Sequence, residues 1–229
     1  AYTTTASISA KQLTATNITA VNKEYNQQLN ATLNVGSAAL DGVISGDNVS
    51  IVTSSATGAF ATKTVANGKT VTVTGLSISG ADAANYTLAG FTTTANITAK
   101  QLTATNITAL NKEYNQQLNA TLNLGSAGLD GVISGDNVSI MTSSATGAFT
   151  TKTVANNKTV TVSGLSLSGG DAANYTLAAY TTTASITAKQ LTATNITALN
   201  KEYNQQLNAT LSLGSAGLDG VISGDTVNI

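Results

Sequence analysis

The chain has 229 residues, 41% of them hydrophobic, and its ten basic residues nearly balance eleven acidic ones to a net charge of −1. With no cysteine, disulfides and thiolate chemistry are excluded; with no histidine, so is the commonest neutral-pH base and metal ligand. The charge balance lacks the basic footprint of phosphate-backbone binding, and no run approaches the roughly 20 apolar residues of a membrane helix, so neither nucleic acid nor a transmembrane segment is expected.

In chain order, Thr3 to Ala10 reads as a short strand with Ile8 as its one large apolar residue. Lys11-Gln12-Leu13-Thr14-Ala15-Thr16-Asn17-Ile18-Thr19 then opens a phrase that returns unchanged from Lys100 and from Lys189, 89 residues apart each time. Aligning 11–99 with 100–188 leaves 12 differences, and 189–229 repeats 100–140 with three. The expected organisation is therefore the tail of a preceding copy (1–10), two full copies (11–99 and 100–188) and the first half of a further one (189–229). A period of 89 is too long for a solenoid unit and suits a small domain in tandem. Residues 1–10 and 189–229 are not expected to be self-sufficient, because 189–229 lacks every counterpart of Phe149, Val160, Val162, Leu165, Leu167, Tyr175 and Leu177.

Within the first full copy, Leu29, Ala31, Leu33 and Val35 alternate with polar residues as in a half-buried strand. Val49 and Ile51 form another short strand. Val71 and Val73 alternate with Thr70, Thr72 and Thr74, where β-branching suits the pleat and the hydroxyl suits water. The apolar phase slips at Gly75 to Leu76 and Ile78, predicting a bulge or bend. Asp82 to Leu88 is long enough for one or two helical turns, with Asp82 as cap. Ala95, Ile97 and Ala99 form the last strand. Asp41-Gly42, Gly46-Asp47-Asn48, Thr57-Gly58 and Asn67-Gly68 are turn signals. From Thr92 to Asn106 there is no glycine or proline and only Lys100 is charged, so successive copies should join almost without linker. The class is all-β: a tandem array of small antiparallel or mixed β-domains.

Asn22-Lys23-Glu24-Tyr25, Leu40 to Ile51 with Ser45-Gly46-Asp47, Gly58-Ala59-Phe60, Lys69 to Leu76, Gly80 to Leu88 and Thr92 to Thr98 together resemble the YDG-type repeat of large bacterial filamentous-haemagglutinin-like adhesins, related to the mostly-β MBG repeats. The name-giving Tyr-Asp-Gly stands here as Tyr25-Asn26-Gln27, Tyr114-Asn115-Gln116 and Tyr203-Asn204-Gln205. The resemblance implies a secreted, cell-surface adhesin or matrix protein in which these repeats act as spacer or shaft.

No catalytic, cofactor-binding or metal-binding residue is expected. Asp41, Asp47, Asp82 and Glu24 are the acids of the first full copy; turn or cap roles are the ordinary reading, since a calcium loop gathers more oxygen ligands. Tyr25, Phe60, Tyr86 and Phe91 read as packing residues, with sugar stacking as the alternative for an exposed tyrosine. The Phe91/Tyr180 exchange adds a hydroxyl and points to a position near the surface or a junction. Lys23, Lys63 and Lys69 read as solvated lysines with buried stems, against an intramolecular isopeptide bond to an asparagine. Asn-x-Ser/Thr recurs at Asn17, Asn30, Asn48, Asn85 and Asn96 and in later copies, with Asn30 and Asn119 on strand faces. Three function classes remain open: a structural shaft, a self-associating matrix or filament protein, and a glycan-binding repeat. The expected partners are neighbouring repeats of the same chain and other copies in a fibre, and the location is extracellular.

Overall fold

A computed structural model describes residues 1–229. They form two compact units. The first holds 1–102 with 131–139 and 167–177; the second holds 103–130, 140–166 and 178–229. Compact unit and sequence copy thus do not coincide: the first unit takes in pieces of the second copy.

The first copy contributes twelve strands: β1 (Lys11–Thr16), β2 (Thr19–Ala20), β3 (Lys23–Glu24), β4 (Asn30–Ala31), β5 (Leu33–Asn34), β6 (Ala39–Asp41), β7 (Ser50–Val52), β8 (Thr57–Phe60), β9 (Ala66–Thr74), β10 (Ser77–Ser79), β11 (Tyr86–Leu88) and β12 (Phe91–Thr98). Five of them form a mixed sheet in the order β3-β12-β9-β8-β4. At its centre β12 runs antiparallel to β9 and parallel to β3. A second sheet has the order β11-β1-β6, with β1 parallel to β11 and antiparallel to β6. The pairs β2–β5 and β7–β10 complete the copy.

The alternation of β9 sets its two faces as the sequence predicts. Val71 and Val73 are buried while Thr70, Thr72 and Thr74 face out. Further along the neighbouring β12, Ala95 and Ile97 are buried, and the register slips between these two residues across from Asn67-Gly68. Gly75 ends β9 at φ +76°, and a Cβ there would collide with the Ser55 carbonyl. Only glycine satisfies both demands. Ala15, Ile18 and Val73 form a core with Leu33, Val35, Ile51, Leu76, Leu88 and Phe91 packed against it. Each fully buried aliphatic side chain is worth about 1.5–3 kcal/mol against exposure, which is how a disulfide-free module of this size holds together.

Two strand readings need correction. Leu29 to Val35 is not one strand: β4 pairs with β8, β5 pairs with β2, and Leu29 is exposed. The chain bends at Thr32, whose carbonyl accepts from Val21 N at 2.9 Å, so one alternating run serves two sheets. Thr3 to Ala10 forms no strand, and Ile8 is 102% exposed where its counterpart Ile97 is 1% exposed.

In the second unit, residues 112–113, 180–187, 155–163, 146–149 and 119–120 rebuild the five-stranded sheet in that order. Its core is Phe149, Val160, Ala184 and Ile186, with Ala109, Tyr114, Ala120 and Leu122 against it. Residues 189–229 form only two short antiparallel pairs, 192–194 with 217–219 and 197–198 with 211–212. No helix is long and apolar enough to cross a membrane.

Candidate functional site

The most elaborate polar arrangement is a carboxylate clasp that ties one copy to the next. Its centre is Asp136, held by a turn in which Asp136 N donates to Ile133 O at 3.1 Å and Gly135 takes φ +96°. Within the same copy, the 3-10 turn Ala172–Asn174 delivers Tyr175 to this turn. Tyr175 Oη donates to Asp136 Oδ2 at 2.6 Å and accepts from Ile133 N at 3.1 Å. The first copy repeats this pin: Tyr86 Oη donates to Asp47 Oδ2 at 2.5 Å and accepts from Ile44 N at 3.1 Å.

The preceding copy supplies the other half. Tyr25 Oη donates to Asp136 Oδ1 at 3.2 Å, and Gln27 Nε2 donates to the same oxygen at 2.5 Å and to Ser134 O at 3.4 Å. The rings of Tyr25 and Tyr175 meet edge to face at 5.5 Å and 78°, a geometry worth about 0.5–1.5 kcal/mol beyond area burial. Val65 N donates to the buried Asn174 Oδ1 at 3.0 Å, and Lys100 pairs with Glu24 at 3.2 Å. The second unit repeats the scheme: Tyr114 and Gln116 donate to Asp225 Oδ1 at 3.0 and 2.7 Å, and Lys189 pairs with Glu113 at 3.3 Å. Tyr25 to Asp136 and Tyr114 to Asp225 each span 111 residues, 22 more than one repeat.

Burial pushes the Asp136 carboxyl up, but hydrogen bonds from Tyr175, Tyr25 and Gln27, with the charge of Lys63, outweigh it and hold it below the usual carboxylate range. Burial and then the bond to Asp136 push Tyr175 up to about 12 and raise Tyr25 above the ordinary tyrosine range. The phenols therefore stay protonated donors and the carboxylate a charged acceptor, the stronger class of hydrogen bond.

The turn carrying the clasp has its own requirement. Asn26 Oδ1 accepts from Gln28 N at 3.0 Å, an Asx-turn, and Gln27 takes φ +63°. A side chain in that region costs roughly 1–2 kcal/mol, which the Gln27 contacts to Asp136 and Ser134 offset.

The other singled-out residues lie apart from the clasp. Asp82 does not cap the 3-10 turn beside it; its Oδ2 accepts from Asn48 N at 2.8 Å instead. Asp41 ends β6. No three His, Cys, Asp or Glu side chains gather as a metal site. Lys23 Nζ lies 5.4 Å from the Phe60 ring centroid and donates to the carbonyls of Gln28 and Asn30, at 2.5 and 2.9 Å, with Asn30 Oδ1 at 3.5 Å. Neither Lys23 nor Asn30 hydrogen-bonds to the acid that an isopeptide bond requires. Lys69 donates to Thr62 and Thr64. Phe91 is half-buried against its own copy's core, and the hydroxyl gained at Tyr180 donates to Ile107 O at 3.0 Å. Of the two expected placements, the half-buried position near the surface of a copy holds, and its hydroxyl bonds within that copy.

The YDG domain model matches residues 9–95 and 98–184. The chain belongs to the YDG-domain family. The two matched YDG domains begin 89 residues apart, the period of the sequence repeat, and both are all-β. The chain has no cysteine or histidine, and no metal-holding cluster of side chains is present. Where the name-giving motif reads Tyr-Asn-Gln, asparagine makes the Asx-turn and glutamine adopts the left-handed φ. The turn survives the departure. No curated protein and no solved structure matches the chain.

Proposed function

We propose that these YDG domains are spacer repeats in the stalk of a secreted, cell-surface adhesin or fibre, projecting an adhesive region away from the cell. The observation that carries this reading is the clasp. Each full copy offers Tyr and Gln to the aspartate of the next, with the same atoms at the same separations, 111 residues for Tyr and 109 for Gln. β12 ends at Thr98 and the next strand starts at Lys100, leaving only Ala99 between them. A flexible tether would have a longer, glycine- or serine-rich link. The aromatic side chains also support a spacer over a glycan-binding repeat: Tyr25, Phe60, Tyr86, Phe149 and Tyr175 are buried, so the full copies present no exposed aromatic row. The test is electron microscopy of the intact secreted protein. Evenly spaced beads along a stiff shaft are expected; loose coils would reject the reading.

A further inference from the structure

The order in which strands meet within a copy bears on how it responds to tension. β1 opens the copy and pairs in parallel with β11 through Lys11↔Tyr86, Gln12↔Thr87 and Leu13↔Leu88. Ala89 N adds a bond to Leu13 O at 2.9 Å. A pull on the two ends of the copy draws β1 backward from its start and β11 forward from its end. Because the strands run the same way, these forces act at opposite ends of the pair and load its hydrogen bonds together. Were the two strands antiparallel, the pulled ends would lie side by side and the bonds would open one at a time. β3 and β12 repeat the arrangement through Ile97↔Lys23 and Thr98↔Glu24.

Side chains resist sliding along this line. Leu13 is fully buried. Tyr86, the first residue of β11, is pinned through its hydroxyl to Asp47. In the second copy, Lys100 to Leu102 pair in parallel with Tyr175 to Leu177, Leu102 is fully buried and Tyr175 is pinned to Asp136. Tyr175 is also where Tyr25 of the preceding copy stacks, so joint and clamp share a residue.

We propose that each copy is a tension-bearing module in which the parallel β1–β11 pair, locked by the tyrosine–aspartate pin, is a shear clamp. This rests on the spacer reading only for the source of the load.

The chain has no cysteine, so introduced cysteines are unique handles for force spectroscopy on the full chain. Lys11→Cys with Thr98→Cys applies force along the clamp. Lys11→Cys with Asn85→Cys puts both handles at one end of the pair. All three positions are exposed. At equal loading rate, the first geometry should rupture at several-fold higher force, since forced unfolding is set by the unfolding barrier along the pulled direction. Tyr86→Phe, which keeps the ring and loses the hydroxyl, should lower that force. Equal forces in the two geometries would overturn the clamp, and an unchanged force in Tyr86→Phe would overturn the pin. Either result leaves the spacing of domains in micrographs, the test of the spacer reading, untouched.

Discussion

Residues 100–140 and 189–229 differ at three positions, yet they are not the same structure. Ile107 is 1% exposed and its counterpart Ile196 41%. Leu102 and Ala104 are buried, whereas Leu191 is half-buried and Ala193 exposed. Tyr114 is half-buried, whereas its counterpart Tyr203 is 89% exposed. The difference originates further along the chain: beyond 100–140 come Phe149, Val160, Ala184 and Ile186, which make the core, and 189–229 contains no counterparts of them. Local sequence chooses strand or turn here. Burial is decided by strands 40 to 80 residues further on.

The sharpest way to break the comparison is to remove the same side chain from both regions. Ile107→Ala should cost about 2–5 kcal/mol, the range for deleting a buried aliphatic group. In a polypeptide of residues 1–229, Ile196→Ala should cost less than about 1 kcal/mol. Urea midpoints at constant m-value check this, and equal costs would mean that 189–229 carries a core of its own.

The clasp comes next. Asp136→Ala strands two phenol donors and Gln27, at about 2–4 kcal/mol in all, since bonds to charged groups are worth about 1.5–3 kcal/mol and the site is half-buried. In a polypeptide of residues 1–229, Asp225→Ala, which loses Tyr114 and Gln116, should cost less. The pH dependence has a definite sign. The carboxyl of Asp136 titrates lower folded than unfolded, so its stabilisation is complete above the usual carboxylate range and is lost as pH falls through the lowered value. Tyr175 is raised, so its contribution is complete below the ordinary tyrosine range near 10 and lost as pH climbs towards about 12. Asp136→Asn should flatten the acid limb of a stability–pH curve and shrink the alkaline fall of Tyr175, since burial still raises that phenol but the charged partner no longer does.

The subtlest contrast involves the left-handed glutamines. Gln27 and Gln205 share φ near +60°, but only Gln27 donates to an aspartate; Gln205 is exposed. In a polypeptide of residues 1–229, Gln205→Gly should stabilise by up to about 1 kcal/mol, because relief of about 1–2 kcal/mol of left-handed strain outweighs the roughly 0.5–1 kcal/mol that glycine's freer unfolded chain costs. Gln27→Gly relieves the same strain yet loses the clasp bonds, so it should destabilise. Opposite signs in thermal melts are expected; matching signs would show that the glutamine contacts contribute nothing.

Much of the fold was legible because it depends on period-two alternation. β9 with its Thr face, the bend at Gly75 and the nearly linker-free passage from β12 to Lys100 all derive from residue order. Leu29 to Val35 misled because alternation gives a side chain's face but not its partner strand, and here the partner changes at Thr32. The clasp was less legible still. Asp47 reads as a turn residue and Tyr25 as packing, and each is partly that. The signal lay in the recurrence of Tyr25, Asp47 and Tyr86 at fixed offsets in the repeat. Yet nothing local says that Tyr25 reaches Asp136 of the next copy, 111 residues away, instead of Asp47, only 22 away.

That skipped partnership bears on how such a protein can change its length. Every joint is written in the same atoms with the same offset, so deletion or duplication of a whole 89-residue copy recreates an identical joint at the splice. An insertion of any other size would not. Even one extra residue beside Ala99 would turn Leu102 from the core to solvent, since successive strand residues face opposite ways. For the spacer we propose, reach then becomes a quantity that recombination between near-identical copies can lengthen or shorten in steps of a single repeat, with no joint needing to be reinvented.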